Sequence, residues 1–185
     1  FIDGIIDGTI EPENHTKFLQ IVSDEVRRLS RMVTSLLELS RLEMGQWRYK
    51  TGKFDICEVV RRVLLGFEQQ ILAKKLSVTC EFSSEYILVI GDLDSIYQVT
   101  FNLVDNAIKY ANEAGELSIA VSETIDKAYV GIKNTGVGIA AEHLPFVFER
   151  FYKSDISRGE DKTGLGLGLY ISKTIIAQHG ERIWV

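Results

Sequence analysis

Cysteine and histidine are scarce in this chain of 185 residues, and those present do not cluster. The two cysteines, Cys57 and Cys80, are far apart and match no metal-binding or redox spacing. None of the three histidines is paired with cysteine, aspartate or glutamate at the spacing of metal ligands. The sequence therefore predicts two buried thiols in a reducing compartment and argues against a zinc site.

Long apolar runs and an excess of positive charge are also missing. No window reaches the roughly 18 apolar residues that a membrane-spanning helix needs. The net charge of -5 provides no basic surface for nucleic acid, so we expect no nucleic-acid partner. A hydrophobic content of 45% and a charged content of 25% are typical of a soluble globular protein. Because the chain begins with Phe1 and shows no signal peptide, we expect a piece of a longer protein.

Residues 1–46 contain one long amphipathic helix, predicted from about Glu13 to Met44. Its apolar residues recur mostly in steps of three and four, at Phe18, Val22, Val26, Leu29, Val33, Leu36 and Leu37. A helix of this length with an apolar stripe needs a partner, and residues 1–7 could be the tail of one. Gly8 and Pro12 then mark the turn of a helical hairpin that dimerises. The alternative is a core helix of a single globular domain.

Residues 54–185 alternate between helical and extended patterns after a linker predicted at 47–53. Strands are predicted at "LSVTCEF", "YILVIG", "GELSIAVSETI" and "KAYVGIKNT", and "ERIWV" is predicted to start a final strand. Helices are predicted within "FDICEVVRRVLLGFEQQILAKK", "DLDSIYQVTFNLVDNAIKYAN" and "GLGLYISKTIIAQHG". Asp92 or Asp94 can cap the second helix, and Gly180 can end the third. Antiparallel strands with helices on one face predict an α+β fold, a two-layer α/β sandwich.

The helix segment "NLVDNAIKY" carries the first candidate site. Asn102, Asn106 and Lys109 lie at i, i+4 and i+7, which places them on one helical face. Amide oxygens can ligate Mg²⁺ beside waters and phosphate oxygens, and an ammonium adds a point charge. A polar helix face is usually only solvated, so this segment alone is weak evidence for a site.

Three further segments follow along the chain. In "NTGVGIA", Gly136 and Gly138 permit a sharp turn and a close approach to a flat ligand. In "FVFERFYKSD", the two basic residues Arg150 and Lys153 stand among aromatic rings. The polar segment "SDISRGEDKTG" suits a mobile lid. "GLGLGLYIS" then places three glycines before a helix, whose first amides attract phosphate.

In this order the segments resemble the N box, first Gly box, F box and second Gly box of sensor histidine kinases of two-component systems. Their catalytic domain belongs to an ATPase superfamily shared with gyrase, the ninety-kilodalton heat-shock chaperone and MutL. The segment "RLSRMVTSLLELSRLEMG" resembles the second helix of the dimerisation and phosphotransfer hairpin. The resemblance implies the Bergerat ATP-binding fold at 54–185, with a mixed sheet and three helices, after the end of that hairpin at 1–46.

The resemblance also implies ATP and Mg²⁺ as cofactors. Asn106 would ligate Mg²⁺, and Asn102 would lie close to the metal and the phosphates. Lys109 would contact phosphate, and Tyr110 would lie beside the nucleotide. The chaperone and repair ATPases are disfavoured because they typically place a glutamate at the position of Asn102, and because of the long N-terminal helix.

The remaining implied contacts concern the adenine and the lid. Gly136 and Gly138 would shape the adenine pocket, next to Asn134, which replaces the aspartate that reads adenine in the family. Arg150 and Lys153 would contact phosphate near the lid. The lid would supply backbone N–H groups to the nucleotide from Gly164, Leu165, Gly166, Leu167 and Gly168. An amide at position 134 keeps an acceptor oxygen but loses the charge, which predicts a weakened ATP site. The alternative is a degenerate module for dimerisation or docking.

No histidine of this sequence fits the family's acceptor motif, a histidine followed by an acidic residue and then by proline. His15, His143 and His179 all lack that context, so we expect the acceptor upstream of Phe1 and further strands beyond Val185. The implied function is transfer of the γ-phosphoryl group of ATP to that histidine and on to an aspartate of a response regulator. The resemblance further implies a homodimer through the hairpin and a full-length protein anchored at the cytoplasmic side of a membrane, through regions outside this chain.

Overall fold

The computed structural model describes residues 1–43, 50–153 and 165–185. The chain divides into two compact units, Phe1–Trp47 and Arg48–Val185. Of the linker predicted at 47–53, residues 47–49 lie outside the described ranges, and the first strand already begins at Thr51.

The first unit is a pair of helices, α1 (Ile2–Ile6) and α2 (Pro12–Glu43). Gly8 has φ +77°, which permits the turn between them, and Pro12 is the first residue of α2, where a missing N–H costs no hydrogen bond. The rings of Phe1 and Phe18 stack at 4.8 Å between their centroids and fasten α1 to α2. The long helix and the turn before it are as the sequence predicted.

Helix α2 exposes its apolar stripe. Val26, Leu29, Val33 and Leu37 are each between 51% and 58% exposed. Near α1 the stripe forms a shallow groove of about 370 Å³, lined by Phe1, Ile21, Val22, Glu25, Val26 and Leu29. Among the residues that the structure describes, no helix combines the length and the apolarity needed to cross a lipid bilayer.

The second unit contains five strands and four helices among its described residues. The strands are β1 (Thr51–Asp55), β2 (Ser77–Phe82), β3 (Leu88–Asp92), β4 (Glu116–Glu123) and β5 (Ala128–Asn134). The helices are α3 (Ile56–Gly66), α4 (Glu68–Ala73), α5 (Leu93–Tyr110) and α6 (Gly168–Gln178), with a short 3-10 turn at Leu144–Phe146.

The strands form two sheets. β1 and β3 pair antiparallel, with Thr51 opposite Asp92. The larger sheet has the order β2–β4–β5, in which β2 runs parallel to β4, and β4 runs antiparallel to β5. The chain crosses from β2 to its parallel neighbour β4 through β3 and α5, as a parallel pair requires a long connection. The predicted mixed sheet with three main helices, α3, α5 and α6, is confirmed.

The core lies between the larger sheet and the helices. In β4, the alternate residues Leu117, Ile119 and Val121 are fully buried, as period-two alternation predicts. They belong to one cluster with residues of α3 and α5, which include Val59, Val60, Val63, Val104, Ala107 and Ile108. Each large buried side chain contributes about 1.5–3 kcal/mol, and this core sets the position of α5 on the sheet.

Two expectations from the sequence are wrong. Residues 181–185 form no strand; instead the Trp184 ring lies edge-on to Tyr129 at 6.5 Å, and Glu181 pairs with Lys127 at 2.6 Å. A β-strand needs a neighbouring strand to pair with its backbone N–H and C=O groups. Residues 181–185 are instead held by these side-chain contacts. Cys57 is buried, but Cys80 is exposed on β2, which is an edge strand of its sheet.

Asp92 joins three elements at the start of α5. Its carboxylate accepts hydrogen bonds from the backbone N–H groups of Ser95, at 2.8 Å, and Lys50, at 2.7 Å, which confirms the predicted N-cap. The N–H of Asp92 donates to Nε2 of His179 at 3.0 Å, which ties the end of α6 to β3. Burial raises the pKa of the Asp92 carboxyl, but the hydrogen bonds outweigh burial and the net pKa lies below its ordinary value.

Substituting Asp92 by asparagine tests this junction. An amide of the same shape places an NH₂ group against one of the two donors, so we expect Asp92→Asn to lower the free energy of unfolding at pH 7 by about 1–3 kcal/mol. Because the folded-state pKa is lowered, the carboxylate's advantage is complete above the unfolded pKa of about 3.9 and is lost as the pH falls through the folded value. Urea unfolding between pH 3 and pH 7 measures both effects.

The matched control for this experiment is Asp94→Asn. Asp94 is exposed in the first turn of α5, so its loss should cost about 0.5 kcal/mol or less. Equal losses in the two variants would contradict the capping role of Asp92.

Candidate functional site

One face of α5 carries the polar residues singled out by the sequence. Asn102, Asn106 and Tyr110 recur every fourth residue, so they form a row about 12 Å long on the helix. All three are half-buried, as is Lys109, whose Nζ lies 5.5 Å from the centroid of the Tyr110 ring. The polar face is therefore enclosed by neighbouring segments and is not an ordinary solvated surface.

At one end of this row, Asn102 contacts the start of α6. Its Nδ2 donates to the carbonyl oxygen of Gly168 at 3.3 Å and to Oγ of Ser172 at 3.4 Å. Ser172 is fully buried, and its hydroxyl donates to the same carbonyl at 2.9 Å. These bonds use the donor group of the Asn102 amide and leave its Oδ1, the atom type that ligates Mg²⁺, outside the network.

The start of α6 has the features of an anion site. The N-cap position is held by Leu167, which has no side-chain acceptor for the first amides of the helix. Because the Leu167 side chain is buried, only the backbone of this residue is available to a ligand. Leu165 is half-buried. Gly164 and the predicted lid, residues 154–164, lie outside the described residues.

The aromatic segment packs directly on the second glycine segment. Gly166 has φ +69°, and a Cβ there would lie 2.6 Å from the carbonyl oxygen of Tyr152, so only glycine fits. Its own carbonyl accepts a hydrogen bond from the N–H of Phe151 at 3.1 Å. Lys153, which is half-buried, follows Tyr152 directly in the chain.

Arg150 is held by a residue that sequence reasoning missed. The guanidinium donates to the hydroxyl of Tyr170 at 2.8 Å and lies 4.7 Å above the ring of that tyrosine. Tyr170 stands in the first turn of α6, two residues after Gly168. An aromatic ring so close to the helix start is the one signal in the sequence that could have suggested a partner for the arginine.

At the other end of the row, the first glycine segment closes on Tyr110. A Cβ on Gly136 would lie 2.1 Å from the Tyr110 carbonyl oxygen, so this backbone contact requires glycine. Gly136 forms an isolated antiparallel bridge with Ala111, next to the end of α5. Asn134, half-buried at the end of β5, has its Nδ2 3.1 Å from the same Cβ position. Gly138, with φ +69°, completes the turn.

These contacts bring most of the predicted residues together. The second glycine segment meets the row at Asn102 and the first meets it at Tyr110, so Asn106 lies between them on the helix. Arg150 is joined to α6 through Tyr170, and Lys153 follows Tyr152, whose carbonyl oxygen lies against Gly166. The result is a cradle of amides and glycine backbone around one face of α5, with Lys109 on the helix and Arg150 held beside α6.

Comparison with known proteins gives a consistent result. Residues 91–185 match the family described as histidine kinase-, DNA gyrase B-, and HSP90-like ATPase. The sensor protein SrrB of Staphylococcus aureus strain MRSA252 is 36% identical over 184 residues, which cover 99% of this chain and 31% of SrrB. The chain therefore spans about a third of the length of this curated relative.

Solved structures of histidine kinases are also similar. The histidine kinase AdeS of Acinetobacter baumannii has a TM-score of 0.74 and 33% identity, over 95% of this chain and 79% of that one. The histidine kinase ThkA, solved in complex with the response regulator protein TrrA, has a TM-score of 0.74 and 28% identity, over 98% of this chain and 52% of that one.

The contact at Gly136 predicts a strong effect of one added methyl group. We expect Gly136→Ala to lower the free energy of unfolding by about 3 kcal/mol, because the new Cβ meets a backbone oxygen that cannot move aside cheaply. Urea denaturation followed by circular dichroism measures the change. Gly66→Ala is the control, since a Cβ there meets nothing within 4 Å and alanine favours the helix by up to about 1 kcal/mol. Similar stabilities of the two variants would refute the close contact.

Proposed function

The chain belongs to the sensor histidine kinase family, and from this premise we propose that its second unit binds Mg·ATP and transfers the γ-phosphoryl group to a histidine. The observation that carries the proposal is the row Asn102–Asn106–Tyr110, with a glycine segment against each end. A row about 12 Å long gives room for an extended nucleotide along α5, with phosphates toward α6 and adenine toward Gly136.

The residues present fit a magnesium ion held with phosphate. Mg²⁺ keeps several waters and takes few protein oxygens beside the substrate phosphates, so two neutral amides suffice as ligands. Asn106 would hold it, assisted by Asn102, whose Nδ2 is engaged with Gly168 and Ser172 while its oxygen is not. The bound ion supplies charge neutralisation for the transferred group.

The cations of the cradle would act on the phosphates. Lys109 lies on α5, Arg150 is joined to α6 through Tyr170, and Lys153 follows three residues after Arg150. Amides at the start of α6 add donors, including those from Leu165 to Gly168. The work of these groups is positioning and charge stabilisation, because phosphoryl transfer asks little covalent chemistry of the protein. The bond from the γ-phosphorus to the bridging oxygen breaks, a bond to an imidazole nitrogen forms, and ADP leaves.

The acceptor in this proposal is a histidine on a dimeric helical hairpin, other than His15, His143 and His179. The exposed stripe of α2 supports the dimer, since Val26, Leu29, Val33 and Leu37 need an apolar partner. Relay to an aspartate of a response regulator is supported by the similarity to ThkA, which was solved with TrrA. The full-length protein would act at the cytoplasmic side of a membrane, through segments outside these residues.

Asn134 sets the strength of adenine binding in this proposal. An aspartate there would accept a charge-assisted hydrogen bond from the adenine amine, whereas the amide offers a neutral one. We expect Asn134→Asp to bind a non-hydrolysable ATP analogue about tenfold more tightly, a gain of about 1–2 kcal/mol. Isothermal titration with Mg²⁺ present measures the affinity.

Asn112→Asp controls for the added charge, because Asn112 is exposed just beyond α5 and its side chain is not assigned to the site. It should bind within about twofold of the unmodified chain. Equal affinity of the Asn134→Asp variant and the unmodified chain would contradict the proposed role of Asn134.

Phosphoryl transfer is tested with a separate hairpin that carries an acceptor histidine. Incubation of the chain with that hairpin and Mg·ATP should give acid-labile phosphohistidine on the hairpin. Asn106→Ala should reduce the rate on the order of a hundredfold, since it removes the proposed metal ligand. An unmodified chain that binds ATP yet labels no hairpin would favour a module that only dimerises or docks.

A further inference from the structure

Lys74, which lies outside every motif discussed so far, binds the end of α5. Its Nζ donates to the carbonyl oxygens of Ile108 at 2.9 Å, Lys109 at 2.7 Å and Ala111 at 3.1 Å. An ammonium group has three N–H donors, so these three bonds use all of them. Lys74 is the residue directly after α4 and lies 35 positions before Lys109 in the sequence.

Helix α5 needs such an external donor because of how it ends. The last carbonyls of a helix have no partner within it, and many helices satisfy them by a left-handed glycine that turns the chain back. Here Ala111 follows the helix with φ -69° and ψ 144°, an extended conformation that leaves the helix without that turn. The ammonium of Lys74 donates hydrogen bonds to these carbonyl oxygens instead, and its positive charge offsets the negative end of the helix dipole.

The extended exit at Ala111 positions the first glycine segment. Ala111 bridges Gly136, and the N–H of Asn112 donates to the carbonyl oxygen of Thr135 at 2.9 Å. Gly136 in turn touches the carbonyl oxygen of Tyr110. A left-handed turn at Ala111 would send the chain elsewhere and separate this segment from α5.

We propose that Lys74 is a positioning residue for the nucleotide site. By holding three carbonyl oxygens at an extended helix end, it keeps Tyr110 and the Asn134–Gly136 turn in register with Asn106. It acts through the backbone of α5 and needs no contact with the nucleotide. This inference rests on the proposed function, since it assigns the effect to ATP binding.

The test compares Lys74→Met with Lys75→Met in the full chain. Lys75 is the adjacent lysine, and its Nζ lies 3.3 Å from the exposed Glu113, so its variant removes the same charge without touching α5. Titration with a non-hydrolysable ATP analogue and Mg²⁺, below the melting temperature of each variant, should show about tenfold weaker binding for Lys74→Met and a change within about twofold for Lys75→Met. Hydrogen exchange of the Asn112 amide should be at least about tenfold faster in Lys74→Met only.

Rescue by a conservative change separates positioning from general stability. Lys74→Arg keeps the charge and several donors, so its affinity should return to within about threefold of the unmodified chain. If Lys74→Met does not fold, Lys74→Gln, which keeps two N–H donors and loses the charge, enters the same comparison. A Lys74 variant that melts earlier but binds the analogue as tightly as the unmodified chain would overturn the inference alone. An unmodified chain that binds no analogue would instead overturn the proposed function.

Discussion

The geometry of the second unit depends on the hydrogen-bond partners of the backbone groups at the two ends of α5. At the N-terminus, the buried carboxylate of Asp92 accepts two backbone N–H groups. At the C-terminus, the ammonium of Lys74 donates to three carbonyl oxygens. Each end thus receives the charge that opposes the helix dipole. Asp92 ends β3 and Lys74 follows α4, so the same bonds that terminate the helix also tie it to these neighbouring elements.

A helix held at both ends fixes the spacing of the residues along it. The row from Asn102 to Tyr110 keeps its spacing because the helix is regular, and a glycine segment packs against each end of it. Gly136 and Gly166 each approach backbone oxygens more closely than any side chain would permit. The glycines of this site therefore serve two purposes, close packing at Gly136 and Gly166 and a left-handed backbone at Gly138 and Gly166.

Local patterns in the sequence predicted most of the elements and the polar row, but not β1 or the contacts between distant segments. Period-two alternation located β4, and the sequence narrowed the cap of α5 to Asp92 or Asp94, of which the structure shows Asp92. The pairing of β1 with β3 in a separate sheet was not predictable, because short strands carry no mark of their partner. Lys74 was missed for the same reason, since a lysine after a short helix looks like any solvated charge. The strand expected at 181–185 failed because alternation alone does not supply a neighbouring strand.

The two units differ in what stabilises them. This difference indicates whether the proposed nucleotide binding depends on the proposed dimerisation. The second unit has a buried core of its own, whereas no residue of α1 is buried, and none of those residues of α2 whose exposure the structure describes. Isolated helices of this kind gain little from backbone hydrogen bonds in water and need tertiary or quaternary packing. In the proposed dimer the stripe of α2 would gain its stability from association, whereas the cradle on α5 is built from contacts within the second unit. The two proposed roles, nucleotide binding and dimerisation, should therefore be separable in energy, and substitutions in the stripe should leave the geometry of the cradle intact.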